Sequence, residues 1–196
     1  MKLCVFQGTF NPIHNAHLRV AEYIAKVYTF DKFLFIPACD PPHKSCNPDY
    51  AKDRLEMVKL ALEDRQRFEV SDIEYERCGK SYTYLTIKEL YKRYEVDGKI
   101  HFVIGTDAFK HIESWYKTNE LKKFVKFVVF VREDSFDISE YDYLKAKDYD
   151  FEFQPLPYQD ISSTELRQKI KRGENISGYV PVKVEEYIKN NGLYKD

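Results

Sequence analysis

The chain has 196 residues, a length that allows one well-packed core and does not require two domains. Its 31 lysine and arginine residues nearly balance its 32 aspartate and glutamate residues, and the net charge of −1 argues against a general nucleic-acid binder. The 16 tyrosine and 14 phenylalanine residues exclude an intrinsically disordered chain.

Six short apolar runs are typical of strands that are buried on both faces of a parallel sheet, because most of them do not alternate with polar residues. They are KLCVF (2–6), KFLFIPA (32–38), FEVSDI (68–73), KIHFVIG (99–105), VKFVVFV (125–131) and FEFQPL (151–156).

Helical periodicity appears between and after these runs. The predicted helices cover residues 15–28, 51–64, 84–94, 162–173 and 181–192. The first carries an apolar stripe that includes Leu18, Ala21 and Ile24, and the second carries Leu55, Val58 and Leu62. The acidic, tyrosine-rich stretch 133–150 is predicted to be rich in loops. This order of strands and helices predicts an open α/β sheet with right-handed crossovers.

The segment GTFNPIHNAH (residues 8–17) follows the first strand and leads into the first helix. Ligands of open α/β sheets bind outside the carboxyl ends of the strands. Gly8 allows a phosphate to approach the backbone, and Thr9 offers a hydroxyl and an amide. His14 and His17 are three residues apart, so both can lie on one side of the helix start. The segment therefore predicts a phosphate-binding turn, with a capped helix start bearing surface histidines as the alternative.

Two other helix starts suggest anion sites. In ISSTELR (161–167), Ser162 and Glu165 have the spacing of a capping box, and Arg167 lies one turn inside the helix. In SYTYLT (81–86), the amides near Tyr82 and Thr83 can receive a carboxylate with help from the helix dipole. Each pattern is also common at a helix that binds nothing.

The segment GTFNPIHNAH resembles the signature of the T/HxGH nucleotidyltransferases. Further along the chain, six segments occur in the order seen in the bacterial nicotinate-nucleotide adenylyltransferase family, so the resemblance covers essentially the whole sequence. They are PPHK (41–44), SYTYLT (81–86), GTDAF (105–109), ESWYK (113–117), ISSTELR (161–167) and NNGLY (190–194).

The resemblance implies a Rossmann-like nucleotidyltransferase fold in a single domain, 1–196, in which residues 160–196 form a C-terminal helical part. It also implies adenylyl transfer from ATP to nicotinate mononucleotide, which gives deamido-NAD and pyrophosphate and uses Mg²⁺ brought with ATP rather than a metal held by protein ligands. The implied catalytic residues are His14, His17, Lys44 and Arg167. The implied ATP-binding residues are Gly8, Thr9, Phe10, Gly105, Asp107, Ile161, Ser162, Ser163 and Thr164. The implied nicotinate mononucleotide-binding residues are Tyr82, Thr83, Thr86 and Trp115. Arg132 directly follows the predicted strand 125–131, and this position predicts that it pairs with the nucleotide phosphate.

Three positions of the first motif differ from the commonest form of the family. Gln7 and Ala16 stand where glycine is frequent, and Asn11 stands where aspartate is frequent. These departures leave two alternatives open. One is a related adenylyltransferase that acts on nicotinamide mononucleotide or phosphopantetheine, and the other is a nucleotide-binding sensor with weak or no turnover.

Partners and location follow from what the sequence lacks. The four cysteines have no CxxC spacing, which favours free thiols in a reducing compartment; they are Cys4, Cys39, Cys46 and Cys78. No export signal and no apolar stretch of membrane-spanning length is visible. We therefore expect a cytoplasmic protein whose partners are ATP and nicotinate mononucleotide, with no nucleic acid and no membrane. A homo-oligomer remains open.

Overall fold

The computed structural model describes residues 1–42, 50–77, 79–131, 137–156 and 161–195. Within these ranges, parallel strands form one six-stranded sheet in the order β3-β2-β1-β4-β5-β6. The strands are β1 (Leu3–Gly8), β2 (Lys32–Pro37), β3 (Glu69–Val70), β4 (Ile100–Gly105), β5 (Val125–Val131) and β6 (Phe151–Pro155).

The helices connect these strands and follow the last of them. They are α1 (Asn15–Val27), α2 (Ala51–Leu62), α3 (Ile73–Arg77), α4 (Thr83–Arg93), α5 (Thr106–Phe109), α6 (Thr118–Leu121), α7 (Asp142–Ala146), α8 (Ser163–Lys171) and α9 (Val182–Asn190). Short 3₁₀ turns occupy Ile112–Ser114 and Ile138–Tyr141. Among the described residues, no helix has the length and apolar character needed to span a bilayer.

The sheet carries a hydrophobic core on each face, as expected for strands with both faces covered. Cys4 and Phe6 of β1 belong to one core, which α1, α2, α8 and α9 cover, whereas Leu3 and Val5 belong to the other, which α3 to α7 cover. Of the predicted free thiols, Cys4 is free and buried, Cys39 is half-buried, and Cys46 and Cys78 lie outside the described residues.

The structure corrects three expectations about individual elements. Only Glu69 and Val70 of the predicted strand 68–73 pair with β2, because the carbonyl of Asp72 accepts bonds from the next turn and the chain becomes helical at Ile73. The described part of 133–150 contains a 3₁₀ turn and α7 rather than loop alone, since Tyr141 and Leu144 are buried in the core.

The third correction concerns the inner face of α2. The predicted stripe included Leu55, which is only half-buried, whereas its neighbour Arg54 is fully buried. The Arg54 guanidinium donates to the carbonyls of Ala38 (2.8 Å) and Cys39 (3.0 Å) in the chain that follows β2. The inner face of α2 therefore includes the buried arginine at position 54, whereas the apolar periodicity predicted that Leu55 would lie there.

Strands β1 and β4 are neighbours at the point where the strand order changes direction. From β1 the chain builds outward to β2 and β3, and from β4 it builds the other way to β5 and β6. Such a switch point opens a crevice at the carboxyl ends of the two central strands. Gly8 ends β1 and Gly105 ends β4, so both residues lie at the mouth of this crevice.

Candidate active site

A cavity of about 890 Å³ occupies the crevice at the carboxyl ends of β1 and β4. Its size falls within the range of small-molecule sites. Many of the residues that the sequence predicted for catalysis and ATP binding line it: Gly8, Thr9, Phe10, His14, His17, Gly105, Asp107, Ser162, Ser163, Thr164 and Arg167. The structure therefore brings together segments from the beginning, the middle and the end of the chain.

The two histidines form a stacked pair at the start of α1. Their ring centroids are 3.6 Å apart with an angle of 25° between the planes, and His14 is 2% exposed. The backbone N–H of His14 donates to Nδ1 of His17 at 3.3 Å. When His17 is neutral its proton must therefore sit on Nε2, which makes that nitrogen a hydrogen-bond donor.

Aromatic rings form the floor of the cavity beneath two glycines. A Cβ atom on Gly8 would lie 2.9 Å from the Phe10 ring, and one on Gly105 would lie 3.0 Å from the Phe130 ring. The Phe10 ring is buried, and it packs edge-on against His17 with centroids 5.0 Å apart. A side chain at either strand end would press against these rings, so the geometry favours glycine at both positions. Phe10 supports the histidine rather than presenting an exposed face.

The N-terminus of α8 forms the opposite wall. Ser162 caps the helix by accepting from the backbone N–H of Glu165 at 3.1 Å, and the carboxylate of Glu165 accepts from the Ser162 N–H at 3.0 Å, so the predicted capping box is present. Ser163 Oγ donates to the carbonyl of Pro12 at 3.0 Å, and Arg167 Nη1 donates to the carbonyl of Asn11 at 2.8 Å. Helix α8 is thereby fixed against residues 9–14 between β1 and α1, which are called the histidine loop below.

The C-terminal part of the chain holds the same loop from a second side. Tyr194 Oη donates to Asn11 Oδ1 at 2.6 Å, and the Tyr194 ring is buried against Tyr50 with centroids 5.3 Å apart. Asn15 at the start of α1 donates from its backbone N–H to the carbonyl of Tyr179 and from Nδ2 to the carbonyl of Gly178, both at 2.8 Å. The loop that carries the histidines and the start of α1 are thus tied to residues 178–179, in the connection between α8 and α9, and to Tyr194 beyond α9.

Some residues that line the cavity were not predicted from the sequence. Gln168 and Lys171 line the cavity beside Thr164 and Arg167, which puts the four at helical spacing on one face of α8. That periodicity could have identified them. Tyr50 also lines the cavity, and no local pattern in the sequence marks it.

The predicted acceptor residues that the structure describes, Tyr82, Thr83, Thr86 and Trp115, are not among those that line this cavity. Tyr82 is the residue that precedes α4, and its ring stacks on Tyr116 with centroids 4.5 Å apart. Thr83 is the first residue of α4, as the carboxylate hypothesis requires, and it is half-buried. Trp115 is also half-buried and packs edge-on against Phe102 at 6.1 Å, within the core on that face of the sheet.

Thr86 is not placed for the direct contact that the sequence suggested. The residue is completely buried, and its hydroxyl donates to the carboxylate of Glu74 at 2.5 Å. The same hydroxyl accepts from Arg77 Nη1 at 3.2 Å. Because both hydrogen-bonding roles are taken by protein groups, the geometry favours a supporting function for Thr86.

Lys44 and Arg132 lie outside the described residues. Ile161 is described, and it packs against the core below α8 instead of lining the cavity. Within the described ranges, histidine, cysteine and carboxylate side chains do not gather in any group of three or more that could hold a metal ion.

Comparisons with known proteins agree with this geometry. A family model described as cytidylyltransferase-like matches residues 5–169. The chain is 39% identical over 200 residues to the "Probable nicotinate-nucleotide adenylyltransferase" of Clostridium tetani, with 99% of each chain covered. It is also 39% identical to the protein of the same name from Caldicellulosiruptor bescii, with 100% of each chain covered. This chain belongs to the nicotinate-nucleotide adenylyltransferase family.

The fold of this adenylyltransferase also matches a solved structure. The Plasmodium falciparum nicotinic acid mononucleotide adenylyltransferase complexed with NaAD superimposes with a TM-score of 0.78. The match covers 98% of this chain and 97% of the other at 22% sequence identity. The predicted open α/β nucleotidyltransferase fold is confirmed, and this family member is a nucleotidyltransferase.

Proposed function

We propose that this adenylyltransferase transfers AMP from ATP to the phosphate of nicotinate mononucleotide, giving deamido-NAD and pyrophosphate, a step of NAD biosynthesis. The observation that carries the proposal is the stacked pair of His14 and His17 at the start of α1, which faces the α8 N-terminus and Arg167 across one cavity. Such an arrangement supplies converging donors for a polyphosphate.

The chemistry requires positioning and charge stabilisation rather than a nucleophile on the protein. An oxygen of the acceptor phosphate forms a bond to the α-phosphorus of ATP, and the bond from that phosphorus to the bridging oxygen of pyrophosphate breaks. Nε2 of His17 donates to the phosphates as negative charge moves onto the leaving group. Arg167 and Lys171 add positive charge on the α8 wall, where they line the cavity.

The set of donors in the cavity fits a metal that arrives with ATP. Asp107 is a carboxylate on the cavity wall, and it faces a site otherwise rich in neutral and cationic donors. Mg²⁺ is usually bound through one or two carboxylates together with substrate phosphates and water. We propose that the phosphate oxygens hold Mg²⁺, with Asp107 as the nearby carboxylate. When bound, the ion neutralises negative charge on the polyphosphate.

The acceptor is proposed to lie beside α4. The first amides of α4, at Tyr82 and Thr83, face a ligand carboxylate with the positive end of the helix dipole, and this arrangement favours the acid over the neutral amide. Trp115 is proposed to contact the pyridine ring. The proposed role of Lys44 towards the phosphates rests on the family motif alone, and that of Arg132 rests on its position in the sequence directly after the strand 125–131. Cytoplasmic location likewise stays a prediction, as does a homo-oligomer.

The decisive experiment measures pyrophosphate release from Mg-ATP by the purified protein. Nicotinate mononucleotide, nicotinamide mononucleotide and phosphopantetheine are offered separately. We expect rapid release with the nicotinate form and at most slow release with the other two. Faster release with either rival acceptor would replace the proposed substrate. ATP binding without release for any of the three would favour a sensor.

A further inference from the structure

A single buried carboxylate joins three segments at the carboxyl edge of the sheet. Glu74 in α3 is completely buried. Its Oε1 accepts from Gln7 Nε2 and from Thr86 Oγ1, each at 2.5 Å. Its Oε2 accepts from the backbone N–H of Cys39 at 3.2 Å. Gln7 and Glu74 are 67 positions apart in the sequence, so the contact is a tertiary one.

The three donors to Glu74 come from three different segments of the chain. Gln7 lines the cavity and directly precedes Gly8, after which the histidine loop begins. Thr86 lies one turn inside α4, whose first amides are proposed to receive the acceptor carboxylate. Cys39 lies just after β2, two residues beyond the end of that strand. The Glu74 side chain therefore lies between the proposed ATP side and the proposed acceptor side.

The hydrogen bonding requires a residue that only accepts. A backbone N–H and an amide NH₂ are donors. The Thr86 hydroxyl already accepts from Arg77 Nη1, so its own proton points to Glu74. Arg77 extends the connection by donating from Nη2 to the carbonyl of Lys80 at 3.0 Å, in the chain that enters α4. A glutamine at position 74 has one accepting oxygen in place of two and would leave at least one of these donors without a partner.

We propose that Glu74 is a positioning residue that sets the separation between the histidine loop, on the ATP side, and helix α4, on the acceptor side. The inference rests on the proposed function, because it assumes that the two substrates approach each other across this boundary. In-line transfer needs the reacting atoms about 3 to 3.5 Å apart, and a misplacement of about 1 Å can cost about 100-fold in rate. Loss of the carboxylate should therefore lower kcat, while ATP alone, which contacts one side of the boundary, still binds.

The side chain of Gln7 gives an independent way to loosen the same connection. Gln7→Met keeps a side chain of similar length and removes the amide that donates to Glu74. If both changes act through one connection, the double variant should be little worse than Glu74→Gln alone, because contacting residues that act as a unit are not additive.

The test compares wild type with Glu74→Gln, Gln7→Met and the double variant, all as the full chain. Glu76→Gln is the matched control, since Glu76 lies on the same short helix and is exposed. The measurements are kcat, the KM of each substrate, the Kd of ATP without acceptor, and the melting temperature. We expect Glu74→Gln to lower kcat about 10- to 100-fold with the Kd of ATP within about twofold, and Glu76→Gln to match wild type.

A role that is only structural would give a different pattern. An unchanged kcat per folded molecule with a lower melting temperature would overturn the proposal, and so would a loss of ATP affinity as large as the loss of kcat. If wild type prefers another acceptor, the proposed function fails, whereas the same comparison with that acceptor still decides the role of Glu74.

Amide hydrogen exchange gives a readout that needs no turnover. Glu74→Gln, or Gln7→Met if the first variant folds poorly, should raise exchange both in residues 8–11 and at the start of α4. Faster exchange in only one of the two segments, or in neither, would overturn the proposal.

Discussion

The two ring nitrogens of His17 have separate roles that two substitutions can distinguish. Nδ1 accepts from the backbone N–H of His14 at 3.3 Å, and Nε2 is the proposed donor to the ATP phosphates. His17→Asn places a short amide near the position of Nδ1 and removes the group at Nε2. His17→Gln extends an amide towards the position of Nε2 and gives up the acceptor near the backbone.

The expected magnitudes follow from these contacts. Loss of one well-placed donor to the developing charge costs about 10²- to 10³-fold in rate, or about 3 to 4 kcal/mol. Loss of the bond at the start of α1 costs about 1 kcal/mol of folding free energy. For a chain of this length, 1 kcal/mol lowers the melting temperature by about 2 to 4 °C.

The assay combines pyrophosphate release at saturating Mg-ATP with thermal unfolding of the same preparations. We expect His17→Asn to lose nearly all activity while it melts close to wild type. His17→Gln should melt lower and keep more of the activity than His17→Asn does. Wild-type turnover in His17→Asn would refute the role of Nε2. Equal loss of activity in both variants with unchanged melting would refute the division between the two nitrogens.

Two further predictions concern the C-terminal part of the chain. Tyr194→Phe removes the hydroxyl that donates to Asn11 Oδ1 and leaves the ring in place. Because one such bond contributes about 1 kcal/mol, we expect the KM for ATP to rise about fivefold with kcat nearly unchanged, and an unchanged KM in steady-state assays would contradict this. Burial and the bond to Asp53 raise the pKa of Tyr187 to about 12 from its ordinary value near 10. The folded state holds this proton more tightly, so its stabilising effect is complete below pH 10 and is lost as the pH rises through about 12. Denaturant unfolding of Tyr187→Phe should show a shallower loss of stability over that interval, and a slope equal to that of wild type would be inconsistent with this assignment.

Local patterns predicted the elements that depend on neighbouring residues. The capping box at Ser162 and the helix start at His14 were readable because their partners lie within one turn. The apolar runs predicted five of the six strands closely. The run 68–73 predicted too long a strand, since β3 is an edge strand that pairs with β2 alone. A run of apolar residues does not show how far its neighbour in the sheet extends.

Contacts between distant segments were not predictable in this way. Glu74 appeared in the sequence as one acidic residue among many, and its burial depends on donors from three separate segments. Tyr194 and Asn11 are 183 positions apart, and neither residue type indicates the pairing. Arg54 shows the same limit, because an inward-facing arginine depends on carbonyls that the fold brings to it.

The attachment of the histidine loop to Tyr194, and of Asn15 to the segment before α9, has a consequence for how the protein responds to ligand. Docking of the C-terminal helix and capture of ATP are thermodynamically linked, since both require the loop in one conformation. Nucleotide should therefore protect the connection between α8 and α9 from proteases, although residues 172–181 are not among those that line the cavity. A nick there would free the loop and lower nucleotide affinity while leaving the sheet intact.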